Sequence, residues 1–148
     1  MRFEQRIPPL LLFALIVLAM WLGSEEARGR GVWLILATGL WLAGAVLGGG
    51  ALVHFRRQRT TVNPIRLQQS RVLVTQGVYR ISRNPMYLGL LCWLMALACY
   101  LGGVWVWLGP LLLLAWLTRF QILPEERALR ARFGVAYVQY CHRVRRWC

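Results

Sequence analysis

No charged residue occurs between Arg83 and Arg119, and the 35 residues 84–118 are too many for one helix across a bilayer. At 1.5 Å per residue such a helix would extend roughly 52 Å, against a hydrocarbon core of about 30 Å. Gly102-Gly103 lies near the middle of the run and is the natural breaking point. The run is therefore predicted to fold as a helical hairpin with arms at 86–101 and 104–117. Pro110 is expected to kink the second arm, because it removes a backbone donor and crowds the preceding turn.

Two further apolar runs precede it. Residues 31–53 carry no charge over 23 positions, enough to cross the hydrocarbon, and residues 7–23 form a shorter run of 17. The first run follows Arg2 and Arg6, as in a signal peptide, but Ser24-Glu25-Glu26 does not resemble a small-residue cleavage site, so a retained helix is expected. Apolar residues make up 58% of the chain, far above what a small soluble domain carries. The expected class is an all-α integral membrane protein with about four transmembrane helices, the hairpin last, and no Rossmann domain. Its expected parts are two N-terminal helices (1–53), a cytoplasmic connecting segment (54–85), the hairpin (86–118) and a cytoplasmic amphipathic helix (119–148).

Charge sets the expected orientation. All 18 basic residues are arginine, seven of them at 56–83 and seven at 119–146. The positive-inside rule places these segments, and with them both termini, in the cytoplasm, in a bacterial inner membrane. Anionic headgroups account for most of this charge, and no soluble fold remains to present a nucleic-acid face. Four cysteines and two histidines fall in no metal-ligand spacing. Gly44 and Gly48 form a G-x-x-x-G face that suits close helix approach rather than a phosphate loop.

Two polar clusters remain where chemistry can begin. The first, Y-R-I-S-R-N-P-M-Y-L-G from Tyr79 to Gly89, opens the long apolar run, with Asn84 as an N-cap and Pro85 in the first turn. The second begins at Glu125-Glu126. From there Leu129, Phe133, Tyr137, Tyr140, Cys141 and Val144 recur at helical spacing, which predicts one amphipathic helix on the membrane surface. The acidic pair either caps that helix or holds a cationic ligand.

The order L-V-T-x-G-x-Y-R-x-S-R-N-P-M-Y-L-G, an apolar hairpin, then E-E-R-x-L-x-x-x-F-G-x-x-Y-x-x-Y resembles the isoprenylcysteine carboxyl methyltransferases. These belong to a wider group of membrane methyltransferases that includes phospholipid N-methyltransferases. The resemblance covers about half the chain and implies S-adenosylmethionine held by the cytoplasmic segments. It assigns Arg71, Leu73, Val74, Tyr79, Asn84, Pro85, Met86 and Tyr87 to the cofactor pocket. Glu125 would take the cofactor's amino group, with Glu126 beside it.

The chain departs from many relatives at three positions. Arg71 and Asn84 stand where histidine is common, and Gln121 stands where an arginine is expected, leaving Arg119 as the nearest substitute. Arg119 and Tyr87 are the expected catalytic residues; an ammonium acceptor would need a base, for which Tyr79, Tyr87 and a carboxylate of the cofactor are the candidates. The partners implied are the bilayer and a lipophilic methyl acceptor: a prenylated cysteine carboxylate first, a lipid amine or small thiol as alternatives. A four-helix transporter would need an ionisable residue at membrane depth, and none lies in the four runs. A non-enzymatic membrane adaptor remains the alternative of another class.

Overall fold

The computed structural model describes residues 8–24, 31–57 and 73–148. Among them every regular element is helical: α1 (Pro9–Leu22), α2 (Val32–Arg57), α3 (Pro85–Leu101), α4 (Leu108–Trp116), α5 (Leu123–Phe133) and α6 (Val135–Arg143). Short 3-10 turns at Gly77–Arg80 and Trp105–Trp107 lead into α3 and α4, and a π turn at Leu117–Ile122 joins α4 to α5. Arg71 lies outside the described residues, as do residues 25–30.

Two helical stretches are long and apolar enough to cross a membrane, Val32–His54 and Trp105–Phe133. The first is almost wholly exposed, with Ile35, Trp41 and Val46 among its bare side chains. Water would penalise so much uncovered apolar surface, whereas lipid accommodates it. The chain is a membrane protein. The shorter apolar helices α1 and α3 accompany these two.

The core forms where α1, α3 and α4 meet. Ile16 and Met20 of α1, Leu90, Leu94 and Ala98 of α3, and Leu113 of α4 are buried together, and Leu117 and Ile122 of the π turn close the same cluster. Gly109 lets α4 approach α1 closely, since a side chain there would strike Met20 and Ile16.

α2 packs against α3 through glycine. A Cβ on Gly44 would stand 2.5 Å from the Trp93 ring and 2.9 Å from the Gly89 carbonyl oxygen, and one on Gly89 would stand 3.0 Å from the Gly44 carbonyl oxygen. Gly44 thus works in helix packing, whereas a Cβ on Gly48 would meet nothing within 4 Å, and the Trp93 indole donates to the Trp41 carbonyl of α2 at 3.1 Å.

Pro110 falls at the third residue of α4, straight after the 3-10 turn, and a π turn follows that helix. Two local expectations are corrected. The single amphipathic helix is two, because Gly134 at φ +50° breaks it between Phe133 and Val135. Its apolar residues still converge: Tyr137, Tyr140 and Val144 form a satellite core with Leu73, Leu129 and Phe133. Lastly, Asn84 occupies the N-cap position of α3, but its side chain does not cap. It donates instead to the Arg146 carbonyl at 3.0 Å.

Candidate functional site

The turn ahead of α3 is held from three sides. Gly77 has φ +63°, and a Cβ there would meet the His54 ring at 2.6 Å, so only glycine permits this turn against the end of α2. The Tyr140 hydroxyl donates to the Tyr79 carbonyl at 2.7 Å. The C-terminal segment supplies the third support. Arg83 N–H donates to the Arg145 carbonyl at 3.0 Å, and the buried Ser82 hydroxyl donates to the Arg146 carbonyl at 3.1 Å.

On the facing helix the acidic pair sits in the first turn of α5, yet this helix has no free N-terminus. It continues from α4 through the π turn, and Ile122 ahead of it is already helical. Capping therefore does not explain Glu125 and Glu126.

The two carboxylates have different surroundings. Glu126 is neutralised by two guanidinium groups: Arg146 binds it bidentately, Nε at 3.0 Å and Nη2 at 2.7 Å, and Arg83 Nη1 stands 3.2 Å away. Arg83 Nη1 also donates to Cys141 Sγ at 2.6 Å. Glu125, among the described residues, pairs with no cation. The Tyr87 hydroxyl donates to its Oε1 at 2.6 Å, and the amide of Gln121, one turn back on the same face, favours the charged form of both groups.

Glu125 lies beyond the charge-free stretch, which ends at Thr118. Burial pushes its carboxyl up from 4.5 to about 7, against the lowering effect of the Tyr87 and Gln121 hydrogen bonds, and the Glu126 charge adds to the rise. A carboxylate kept short of a counter-ion in a desolvated place suits a cationic ligand.

A cavity of about 650 Å³, within the range of small-molecule sites, opens beside it. Its polar end is formed by Glu125, Glu126, Arg83, Asn84 and Tyr87, with Tyr79 and Tyr140 alongside. Its apolar end runs between α2 and α3, past Gly44, Gly48, Gly89 and Trp93, to Pro9 and Leu10 of α1. Leu73, Val74, Pro85 and Met86 line it as well. Of the residues singled out from sequence, all but two are thus brought to one cavity.

The exceptions are Arg71, outside the described residues, and Arg119. Arg119 is exposed, lies over the Phe120 ring at 5.7 Å and lines a separate groove. It stands six residues before Glu125, off the face that Gln121 shares with Glu125 at four. The catalytic place expected for Arg119 is corrected accordingly.

The sequence left three contributors without a role. Gln121 is detectable from its spacing of four to Glu125. Arg83 stands inside the quoted motif and is the cation on the cavity wall. Arg146 carries no local signal, since only the return of the C-terminal segment brings it to Glu126.

The profile of the phospholipid methyltransferase family matches residues 32–136. A protein from Arabidopsis thaliana named protein-S-isoprenylcysteine O-methyltransferase B is 34% identical over 110 residues, which cover 70% of this chain and 52% of that protein. A protein-S-isoprenylcysteine O-methyltransferase from Schizosaccharomyces pombe is 29% identical over 111 residues, 73% of this chain and 46% of the relative. An uncharacterized protein from Haemophilus influenzae is 42% identical over 62 residues, 42% of this chain and 98% of its own length. No solved structure matches the chain significantly. The chain belongs to the phospholipid methyltransferase family. It spans about half the length of the named methyltransferases it matches.

Proposed function

We propose that this chain is an S-adenosylmethionine-dependent methyltransferase whose acceptor is dissolved in the membrane, an isoprenylcysteine carboxylate or a close analogue. The observation that carries this reading is Glu125, a desolvated, half-buried carboxylate without a cation among the described residues, at the polar end of a cavity whose other end runs between membrane helices. The names of the plant and yeast relatives support the acceptor class.

The residues fit such a donor. Its ammonium group would meet Glu125, held by Tyr87 and Gln121, while Leu73, Val74, Tyr79 and the start of α3 from Asn84 to Tyr87 would enclose the rest. Glu126 is already engaged by Arg83 and Arg146, so its part is to fix the wall. The bound donor supplies an electrophilic methyl group. The protein's task is then to align and to exclude water. A carboxylate acceptor needs no base, and the cavity-lining cation available to orient it is Arg83. Burial raises the Tyr79 phenol above its ordinary range, so it stays protonated at neutral pH and is no resting base.

In this reading α1 to α4 are four spans, with α3 and α4 turning at Gly102-Gly103 outside. The arginine-rich α5 and α6 lie in the cytoplasm, where the methyl donor is made. The test is methyl transfer from labelled S-adenosylmethionine by the purified protein, offered in separate arms an S-farnesylated cysteine, phosphatidylethanolamine and a small alkyl thiol. Methyl ester formation on the first arm is the expected result. Transfer only to the amine or the thiol overturns the acceptor, and absence of donor binding overturns the activity.

A further inference from the structure

A second concavity, of about 500 Å³, shares no lining residue with the candidate site. It follows one stripe of the Trp105–Phe133 helix: Leu111, Leu114, Ala115 and Thr118 recur at spacings of three, one and three, Arg119 follows, and Leu123 lines it one turn further on. Trp147 of the C-terminal segment completes the lining. The Leu111 side chain is 60% exposed, on a helix long and apolar enough to cross the bilayer, so its surroundings are acyl chains. Arg119 is the first charge after 35 uncharged residues, which puts a guanidinium at headgroup depth directly beyond an apolar floor of roughly 12 Å.

An apolar trough with one exposed arginine set toward its cytoplasmic end matches a single amphiphile with a negative head. The chain's net charge of +13, carried by arginine throughout, adds long-range attraction of the same sign. We propose that this groove binds one anionic phospholipid, an acyl chain along Leu111, Leu114 and Ala115 and its phosphate at Arg119.

The site bears on the cavity through the C-terminal segment. Trp147, which would touch the lipid, directly follows Arg146, whose side chain binds Glu126 and whose carbonyl accepts from Ser82 and Asn84. A lipid seated against Trp147 steadies the C-terminal segment that fixes the start of α3. None of this depends on which acceptor the candidate site methylates.

Native mass spectrometry of the purified protein offered equal phosphatidylglycerol and phosphatidylcholine tests the proposal. One phosphatidylglycerol should be retained in preference. Arg119→Gln should lower that retention roughly fivefold, Arg119→Lys should keep most of it, and the exposed Arg130→Gln should leave it unchanged. Arg119 is exposed, so these variants should fold. Brominated-chain phosphatidylglycerol should also quench emission that is missing in Trp147→Phe. Equal retention of the two lipids, retention indifferent to Arg119→Gln, or no quenching of Trp147 while lipid is bound each overturns it.

Discussion

The Tyr87 hydroxyl stands 2.6 Å from Glu125 Oε1, so a phenol at the start of α3 addresses the half-buried carboxylate of α5 directly. This bond links the two sequence motifs, 38 residues apart, at one atom of the cavity wall. Glu125 titrates at about 7 and the proposed donor group is an ammonium, so binding below that pH must expel the carboxyl proton. Donor affinity should therefore fall as pH drops from 7 toward 5, by up to about tenfold per unit, and should decline again above about 8, where the donor's own α-ammonium loses its proton. Isothermal titration in two buffers of different ionisation enthalpy checks this through the proton released. A flat affinity from pH 5 to 8 excludes Glu125 as the contact.

Replacing Tyr87 by Phe removes a hydrogen bond that lowers the Glu125 pKa, so the midpoint of that profile should move above 7. At pH 7 the donor should then bind more weakly. Gln121→Leu should shift the midpoint in the same direction, since its amide also favours the charged carboxylate. A merely structural role for either residue would lower thermal stability and leave the midpoint in place. The pH profile of donor binding, not its value at a single pH, is the measurement that separates them.

Helix packing gives a second kind of test. Gly44→Ala would press a methyl group against Trp93 and the Gly89 backbone, whereas Gly39→Ala on the same helix meets nothing within 4 Å. Overpacking of this sort costs about 1–3 kcal/mol, so Gly44→Ala should lower the melting temperature and weaken acceptor use, because Gly44 lines the cavity. Gly39→Ala should be neutral or slightly stabilising. Equal melting curves for the two variants would show that α2 and α3 do not meet at Gly44.

Much of this arrangement was legible in the sequence, for identifiable reasons. Charge-free length and a Gly-Gly break are one-dimensional signals, so the start of α3 at Pro85 and its end at Leu101 could be placed to within a residue. The Gly44 half of the G-x-x-x-G face was legible because only a small residue permits that approach, while the place of Gly48 leaves room for a side chain. Gly134 was visible but overridden by the regular spacing of Leu129, Phe133 and Tyr137, which continues across the break because both helices bury the same face. The role of Arg119 was misplaced for a rotational reason: the face of Glu125 continues to Gln121, not to Arg119. The Glu126 ion network depended on where the C-terminal segment returns. No local pattern encodes that.

The proposed orientation makes a further prediction. A membrane-impermeant thiol reagent should label an engineered cysteine at Val104, exposed at the turn between α3 and α4, only from outside. At Gln139, exposed on α6, it should label only from the cytoplasmic face. The background is a variant lacking the four native cysteines, verified to retain donor binding. Labelling at Gln139 from outside inverts the topology and separates the cavity from its cytoplasmic donor.

The last prediction contrasts the two neighbouring acids. The fold raises the Glu125 pKa from 4.5 to about 7, so its ionised form is disfavoured in the folded state. The resulting loss of stability develops as pH rises from about 4.5 through about 7 and is complete above. Glu125→Gln lacks that penalty, so its melting temperature should match wild type near pH 4 and exceed it at pH 8. It also loses a charge-assisted contact worth about 1.5–3 kcal/mol, so donor affinity at pH 8 should fall roughly ten- to a hundredfold. Glu126→Gln should do the reverse. It leaves Arg83, 12% exposed, and Arg146, 35% exposed, without their shared carboxylate. Removing one partner of a buried pair costs about 3–5 kcal/mol, and the exposure of Arg146 places this case at the low end. Melting curves at pH 4 and pH 8, run beside donor titrations on the three proteins, resolve all four outcomes. Parallel loss of stability in both variants would show that the two carboxylates share one structural task, and would remove Glu125 from the ligand's contacts.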